Sequence, residues 1–387
     1  MSYTSLQQLS NILRKYFIGK YLSEISVTED DGINNLSYYE DYNTIPLFTF
    51  DELLTEVPSF PTTFNNIMYV IDGSSRSFKT INGNISIASI AISSNLKPII
   101  GVYPGLGILK EILLDYPFIA IATSTFDKKF SLDPFIYENK LIKTYSPSGR
   151  PYTLSYNVQA METELRQELE TKALEAIISS SVLNDLIVID GPLFPQYIFV
   201  ENEEREVLFR ERYKVISSKY NIVGIVKRLD KSKVLIRTLT STYRNRMISQ
   251  FNLDPMLFLS DESLIHSLIL KRNQKENEYI PIVIGPLLRK IGDIAKVYMY
   301  YVIIPLSKYL PNFVTLRIES LKNLKPEEII TYLVWQEFSK DGIPKLLALA
   351  DNLAKKVTSG IVNYLIYLLR SNGIELSYNS KIGVQLT

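Results

Sequence analysis

The chain has 387 residues, of which 46% are hydrophobic, and a formal net charge of +1. It has no cysteine and a single histidine, His266, so a cysteine nucleophile is excluded and a zinc site is disfavoured. Any bound metal should therefore have oxygen ligands, which suit Mg²⁺ and Mn²⁺.

The first 60 residues are expected to form a mainly helical N-terminal extension, ending near Pro58 and Pro61. Its polar start is not typical of a secretory signal. The longest apolar run, 297–306, is too short to cross a bilayer. We therefore expect a cytoplasmic protein with no membrane partner.

Two apolar runs, 67–71 and 186–189, each end in an aspartate followed by glycine. Short runs rich in β-branched residues and closed by a turn signal predict buried strands. Asp72 and Asp190 should then emerge at the edge of a sheet, where the glycine lets a ligand approach. Asp-Gly is also a common turn dipeptide, but two copies in this setting favour a divalent cation held between the carboxylates.

Further elements follow from the residue pattern. The tract 127–157 is rich in Tyr, Pro and Ser and is predicted to be an irregular insertion. Strands are predicted at 85–92, 222–226, 297–305 and 312–318, and helices at 161–178, 203–220, from Ser260 onward and at 346–369.

The segment 227–246 carries seven basic residues and one acid. Such a run is usually a solvated face. Because this one directly follows the predicted strand 222–226, its first residues should lie at a sheet edge. Contact with phosphate groups is the alternative.

Four acids occur in an informative order along the chain: Asp72 on a strand, Glu170 on a helix, Asp190 on the next strand and Asp351 on the last helix. This order is typical of ribonuclease-H-like nucleases, in which the acids converge on one end of the central strand. The sequence therefore predicts an α/β fold with a ribonuclease-H-like mixed sheet flanked by helices, plus N-terminal helical and insertion segments. Converging carboxylates can bridge two metal ions for phosphodiester cleavage.

Several short motifs follow one another between about residues 65 and 360. They are Ile71-Asp72-Gly73-Ser74-Ser75-Arg76, Leu169-Glu170-Thr171-Lys172-Ala173-Leu174, Ile189-Asp190-Gly191-Pro192-Leu193, Val226-Lys227-Arg228, Leu259-Ser260-Asp261, Arg317-Ile318-Glu319, and Gly342-Ile343-Pro344 before Leu349-Ala350-Asp351. As an ordered set they resemble the NurA nucleases of archaea and some bacteria.

This resemblance implies a Mn²⁺-dependent deoxyribonuclease, with Mg²⁺ as the alternative ion. It implies single-strand endonuclease and 5'-3' exonuclease activity on single- and double-stranded DNA. It also implies a homodimer that works with the hexameric ATPase HerA in the resection of DNA double-strand breaks during repair by homologous recombination.

The resemblance also assigns residues. The metal ligands would be Asp72, Glu170, Asp190 and Asp351; Glu168 and Glu175 on the same helix stay open as alternatives to Glu170. From the basic segment after the strand 222–226 and from the turn after Asp72, we expect the DNA-binding residues to be Arg76, Lys227, Arg228 and Lys231.

We expect a nuclease domain over 61–370 and a C-terminal tail over 371–387. No P-loop is visible, so the chain should bind no ATP, and a partner should supply the ATPase. Apolar residues of the N-terminal helix, Leu9, Ile12 and Leu13, either dock that partner or pack on the chain's own core.

Two other functions are compatible with this fold class. One is a ribonuclease-H-like module that binds DNA or a protein without cleaving; the four acids in order argue against it. The other is an actin-like phosphotransferase, which would have Asp-x-Gly where this chain has Asp-Gly-Ser-Ser. Cleavage of DNA with Mn²⁺, or hydrolysis of ATP, would distinguish them.

Overall fold

The structure is a computed structural model that describes most of the chain between residues 44 and 371. The described residues are 44–61, 66–79, 83–105, 109–123, 141–180, 185–195, 199–218, 221–273, 279–307, 309–310, 312–334, 337–339 and 342–371. Most of the predicted N-terminal extension, including Leu9, Ile12 and Leu13, lies outside them, as do residues 127–140 and 372–387.

Twelve strands and six helices lie in this part of the chain. Strands β1 to β12 are Thr44–Pro46, Thr55–Glu56, Met68–Lys79, Gly83–Ser94, Gly101–Tyr103, Ile119–Thr123, Ile142–Lys143, Leu186–Asp190, Asn221–Val226, Ile282–Ile291, Ala295–Pro305 and Phe313–Ser320. Helices α1 to α6 are Val158–Ser180, Asn202–Ile216, Val234–Phe251, Asp261–Asn273, Pro326–Val334 and Lys345–Ser371.

Five adjacent strands form the centre of the sheet in the order β6-β4-β3-β8-β9. Strand β4 is antiparallel to both β3 and β6, whereas β8 is parallel to β3 and β9 is parallel to β8. Parallel neighbours need a crossover connection, and α2 provides one between β8 and β9. An antiparallel meander continued by parallel strands is the ribonuclease-H-like arrangement, so the predicted fold class is confirmed.

The sheet continues beyond β9 through β12, β11 and β10, each antiparallel to the one before. β1 and β2 lie at its far edge, next to β10. Buried apolar residues of β3, β8, β9 and β12 form one core with residues of α5 and α6, including Ile330 and Ala350. The addition to the central sheet therefore shares a core with it.

Helices α1 and α6 cover opposite faces of β3 and β4. Side chains alternate between faces along a strand. The hydroxyls of Ser75 and Ser77 donate to Glu162 of α1 at 3.0 and 2.6 Å. On β4, Ser89 lies opposite Ser74 and donates to the Ala354 carbonyl of α6 at 2.8 Å. Even-numbered β3 residues, which include Asp72, therefore face α6, and odd-numbered ones face α1.

Residues 228–278 belong to a second compact unit that contains α3 and α4. Asp261 begins α4 and is fully buried. Its carboxylate accepts hydrogen bonds from the Ser232 hydroxyl at 2.6 Å and from the Ile236 amide, in the first turn of α3, at 3.0 Å. Asp261 therefore caps a neighbouring helix, which explains the Ser-Asp motif structurally.

The predicted strands at 85–92, 186–189, 222–226, 297–305 and 312–318 are confirmed, as are the helices at 161–178, from 260 onward and at 346–369. The prediction of a mainly helical segment is wrong for residues 44–60, which contain β1, a short 3-10 helix and β2. Here Thr55 and Glu56 pair with β10, a strand that the sequence did not indicate. None of the described helices has the length and apolar character needed to cross a bilayer.

Candidate metal centre

Two parallel strands bring Asp72 and Asp190 to the same level of the sheet. Ile71 of β3 lies opposite Ile189 of β8, and the next residue on each strand is an aspartate. β8 ends at Asp190, and Gly191 has a φ of +98°, a conformation that favours glycine. The chain turns away directly after Asp190 and leaves its carboxylate at the end of the strand.

Helix α6 adds a third carboxylate, that of Asp351. Each of Asp72, Asp190 and Asp351 has an oxygen that lies within 4.8 Å of the others. We call these three residues the acid triad. The structure therefore brings together three of the four acids that the sequence singled out, from an early strand, a middle strand and the last long helix.

The acid triad is electrostatically costly without a cation. Asp72 is 7% exposed, and its Oδ2 has no hydrogen-bond partner within the described residues. Burial, followed by the neighbouring Asp190 carboxylate, raises the pKa of Asp72 well above its ordinary value. A buried carboxyl oxygen without a donor, next to two further carboxylates, is a suitable ligand set for a divalent cation.

Two lysines partly balance the charge of the triad. Lys227, directly after β9, places its Nζ 2.6 Å from Asp190 Oδ2 and 3.9 Å from Asp351 Oδ2. Lys355, one turn along α6, lies 2.7 Å from Asp351 Oδ2. Burial acts to raise the pKa of Asp351, but the hydrogen bond from Lys355 and the charge of Lys227 hold that pKa below its ordinary value.

Glu170 lies beside the triad but outside it. It is buried on α1, on the face of β3 opposite to Asp72, and its Oε2 lies 3.2 Å from Nη1 of Arg212. Its Oε1 would lie 2.7 Å from a Cβ at position 73, so glycine is needed there. Its negative charge also contributes to the raised pKa of Asp72.

The two alternatives to Glu170 have other partners. Glu175 is exposed and forms an ion pair with Lys172 at 2.9 Å. Glu168 is buried and forms an ion pair with Lys143; burial raises the pKa of Glu168, and Lys143 opposes that shift. Of the three acids, Glu170 is the one that contacts the residue after Asp72.

A second set of buried acids lies toward the start of α1, and we call Glu164, Glu168 and Glu204 the carboxylate cluster. Glu164 accepts hydrogen bonds from the hydroxyls of Tyr152 and Tyr156 at 2.9 and 2.8 Å. The tyrosines belong to 127–157, so the described end of this predicted insertion packs on α1. Glu204 of α2 accepts from a larger set: Ser146 Oγ, Ser148 N, Ser148 Oγ and Arg150 Nε.

The predicted DNA-binding residues occupy different places. Arg76 is exposed on β3, on the same face as Asp72, and Lys227 contacts the triad. Arg228 and Lys231 are exposed in the segment that precedes α3, within the second compact unit. The basic segment 227–246 therefore has two parts. Residues 227–233 precede α3, and the residues from Val234 on belong to that helix.

Other residues near the triad were not singled out as site residues from the sequence. Glu319 of β12 is fully buried, pairs with Arg317 Nη2 at 3.1 Å and accepts from the Leu193 amide at 3.0 Å. Leu193 belongs to the loop that follows Asp190. This loop runs directly over Gly224 of β9, where a Cβ would lie 2.6 Å from the Gly191 carbonyl oxygen. Glu319 therefore fixes the loop that leaves Asp190. Its motif was visible in the sequence, but its contact was not.

The sequence matches the NurA domain family over residues 67–356. No relative was found among curated proteins. The NurA nuclease from Sulfolobus solfataricus is similar in structure, with 15% identity, a TM-score of 0.44, and coverage of 95% of this chain and 98% of that one. A NurA structure bound to dAMP and manganese has 9% identity, a TM-score of 0.39 and 90% coverage of each chain. An endonuclease V from Bacillus subtilis has 8% identity, a TM-score of 0.32, and coverage of 89% and 98%.

Proposed function

The chain belongs to the NurA family, and from that premise we propose that it is a metal-dependent deoxyribonuclease whose active site is the acid triad. The observation that carries the proposal is the convergence of Asp72, Asp190 and Asp351 within 4.8 Å, with a buried oxygen of Asp72 that has no hydrogen-bond partner among the described residues. A purely structural cluster would be expected to satisfy that oxygen.

The proposed cofactor is Mn²⁺, with Mg²⁺ as the alternative, since both bind oxygen ligands. Asp72, Asp190 and Asp351 would hold it, and Glu170 would complete the ligand set if its side chain turned from Arg212 toward the edge of β3. Such an ion, when bound, activates water and stabilises charge on the leaving oxygen in phosphodiester hydrolysis.

Lys227 has two proposed roles. In the metal-free protein its ammonium neutralises Asp190 and approaches Asp351, so it occupies the position of a counter-cation. With a divalent ion held by those carboxylates, the Lys227 ammonium would no longer be needed as their counter-charge and could bind a phosphate of the substrate. Arg76, Arg228 and Lys231 are proposed to contact the DNA backbone.

We propose that the chain forms a homodimer and acts with a HerA-type ATPase in the resection of DNA ends, as the resemblance implies. The absence of a P-loop supports the need for a separate motor, because opening base pairs costs about 1.4 kcal/mol per step. Light scattering should give twice the chain mass of 44.4 kDa. A monomer at micromolar concentration would contradict the dimer.

The activity is tested by incubating the pure protein with labelled single-stranded DNA and Mn²⁺, with and without a chelator. We expect cleavage that the chelator abolishes. Long blunt duplex should be resected only when a HerA-type ATPase and ATP are added. Binding without cleavage would favour a non-catalytic DNA-binding module, and hydrolysis of ATP by the chain alone would favour a phosphotransferase.

A further inference from the structure

The acid triad lies at a step in the sheet. β8 pairs with β3 only as far as Ile71 and Ile189 and ends at Asp190, whereas β3 continues to Lys79 in pairing with β4. Among the described residues no strand pairs with Gly73–Lys79 on the side of β8. The edge of β3 beyond Asp72 is therefore available to groups that approach the triad.

Helix α1 places two side chains over Gly73, the first residue of this unpaired stretch. A Cβ on Gly73 would lie 2.7 Å from Oε1 of Glu170 and 3.1 Å from Cγ of Arg166. Arg166 precedes Glu170 by one helical turn, so the two share a face of α1. Gly73 thus allows the Glu170 carboxylate and the aliphatic stem of Arg166 to lie next to the residue that follows Asp72.

The Glu170 carboxylate and the Arg166 guanidinium do not form a close ion pair with each other. Glu170 is already paired with Arg212, a buried arginine whose Nη1 lies 3.2 Å from Glu170 Oε2 and also donates to Gln167. The Nε of Arg166 lies 3.9 Å from Glu170 Oε1. This Nε is buried and has no hydrogen-bond partner among the described residues, while the side chain as a whole is 36% exposed.

This arrangement differs from that of the other cations at the site. Lys227 and Lys355 bind triad carboxylates directly, and Arg212 neutralises Glu170. Among the described residues, Arg166 has one long contact, with an acid that is already neutralised. A partly exposed guanidinium whose charge is not closely paired, on the helix that packs over the residue after Asp72, is suited to bind a phosphate through two parallel hydrogen bonds.

We propose that Arg166 binds a backbone phosphate of the DNA strand that passes the acid triad. The proposal rests on the proposed nuclease function and adds a substrate-positioning residue to it. The ligand is the phosphodiester group itself, so the contact should be independent of base identity.

The test measures binding of a labelled single-stranded oligonucleotide by fluorescence anisotropy at several salt concentrations. Every protein carries Asp190→Asn, so that the strand stays intact. Arg166→Gln should weaken binding roughly 10-fold, as loss of a hydrogen bond to a charged group does. It should also lower the slope of log K against log salt by about 0.7. Arg166→Lys should retain the slope and lose part of the affinity.

Lys172→Gln is the matched control. Lys172 lies on the same helix with 44% of its side chain exposed, but its charge is already paired with Glu175 at 2.9 Å. It should change neither affinity nor slope. An abasic strand should be affected by Arg166→Gln to the same degree as a normal one, because the contact is to phosphate. Thermal unfolding of both variants should match that of the parent.

Unchanged affinity and slope in Arg166→Gln, or an equal loss in Lys172→Gln, would overturn the role of Arg166 and leave the nuclease function intact. A loss confined to the normal strand would also overturn it and indicate stacking on a base. Failure of the wild type to cleave DNA, or continued cleavage by the Asp190→Asn parent, would instead refute the proposed function.

Discussion

The acid triad and the carboxylate cluster are two groups of buried acids with opposite environments. In the cluster, Glu164 accepts from two tyrosine hydroxyls, and Glu204 accepts from serine and arginine donors. In the triad, Asp72 has an oxygen without a partner and faces two other carboxylates. Buried acids with complete sets of donors stabilise a fold, whereas an incomplete set of converging acids calls for a cation.

The largest difference between the two groups should appear in catalysis. Asp72→Asn and Asp190→Asn should each reduce cleavage at least about 100-fold, because loss of a ligand removes several kcal/mol of transition-state stabilisation. The metal-free variants should be as stable as the wild type or more so, since repulsion between carboxylates is relieved. The measurement is cleavage of single-stranded DNA at saturating Mn²⁺, together with thermal unfolding in chelator. Near-normal activity in either variant would remove the triad from the active site.

Glu168→Ala should show the reverse pattern. It leaves Lys143 without its partner in a mostly buried position, and breaking such a pair costs about 3 kcal/mol in free energy of unfolding. Cleavage per folded molecule should stay close to that of the wild type below the lowered melting temperature. The result is read from denaturant unfolding and from activity at low temperature. A stable but inactive Glu168→Ala protein would mean that the metal ligand on α1 is Glu168.

Part of the pH dependence of stability should come from the carboxylate cluster. Burial raises the pKa of Glu164 from 4.5 to about 7, with the tyrosine hydrogen bonds opposing the shift and Glu204 adding to it. The folded state therefore retains a proton that the unfolded state has lost. This contribution is full below pH 4.5 and is lost as the pH rises through about 7, with a total on the order of 3 kcal/mol.

Glu164→Gln should remove this part of the pH dependence, because the amide oxygen still accepts a hydrogen bond but does not titrate. Denaturant unfolding between pH 4.5 and 8 measures the difference. The same slope in both proteins would show that Glu164 is not the group that titrates.

Lys227→Met should have the smallest effect: it should strengthen Mn²⁺ binding and weaken DNA binding. Removal of a competing cation should tighten Mn²⁺ binding several-fold, whereas the loss of one phosphate contact should lower the salt slope of DNA binding by about 0.7. Calorimetric titration of Mn²⁺ and anisotropy with DNA measure the two. Weaker Mn²⁺ binding in the variant would contradict the role of Lys227 as a counter-cation.

Much of the fold could be predicted because local patterns determine it. The runs before Asp72 and Asp190 are strands, and their parallel pairing puts both aspartates at one level. The sequence did not indicate β10, which has Gly285-Pro286 within it, or α5. Proline and glycine argue against a strand, and a helix of nine residues is too short to be distinguished by periodicity from another short apolar run.

The site was less predictable than the fold because its charges pair across long stretches of chain. Nothing in the sequence shows that Arg212 pairs with Glu170, or that Glu319 holds the Leu193 amide. The basic residues after position 226 led to the prediction of phosphate contact for the whole segment. Most of the segment is instead a helix whose apolar face, which includes Val234, Leu235 and Leu239, is buried. The local sequence shows on which helix or strand a charged residue lies. Which residue becomes its ion-pair partner depends on how the helices and strands pack together.

The central claim is that the acid triad, and not the carboxylate cluster, binds the divalent ion. Calorimetric titration of Mn²⁺ into metal-free protein tests it most directly, with wild type, Asp72→Asn, Asp190→Asn and Glu164→Gln compared under one condition. We predict saturable binding by the wild type and Glu164→Gln, and its loss in both aspartate variants. Equal binding by the wild type and Asp72→Asn would contradict the claim.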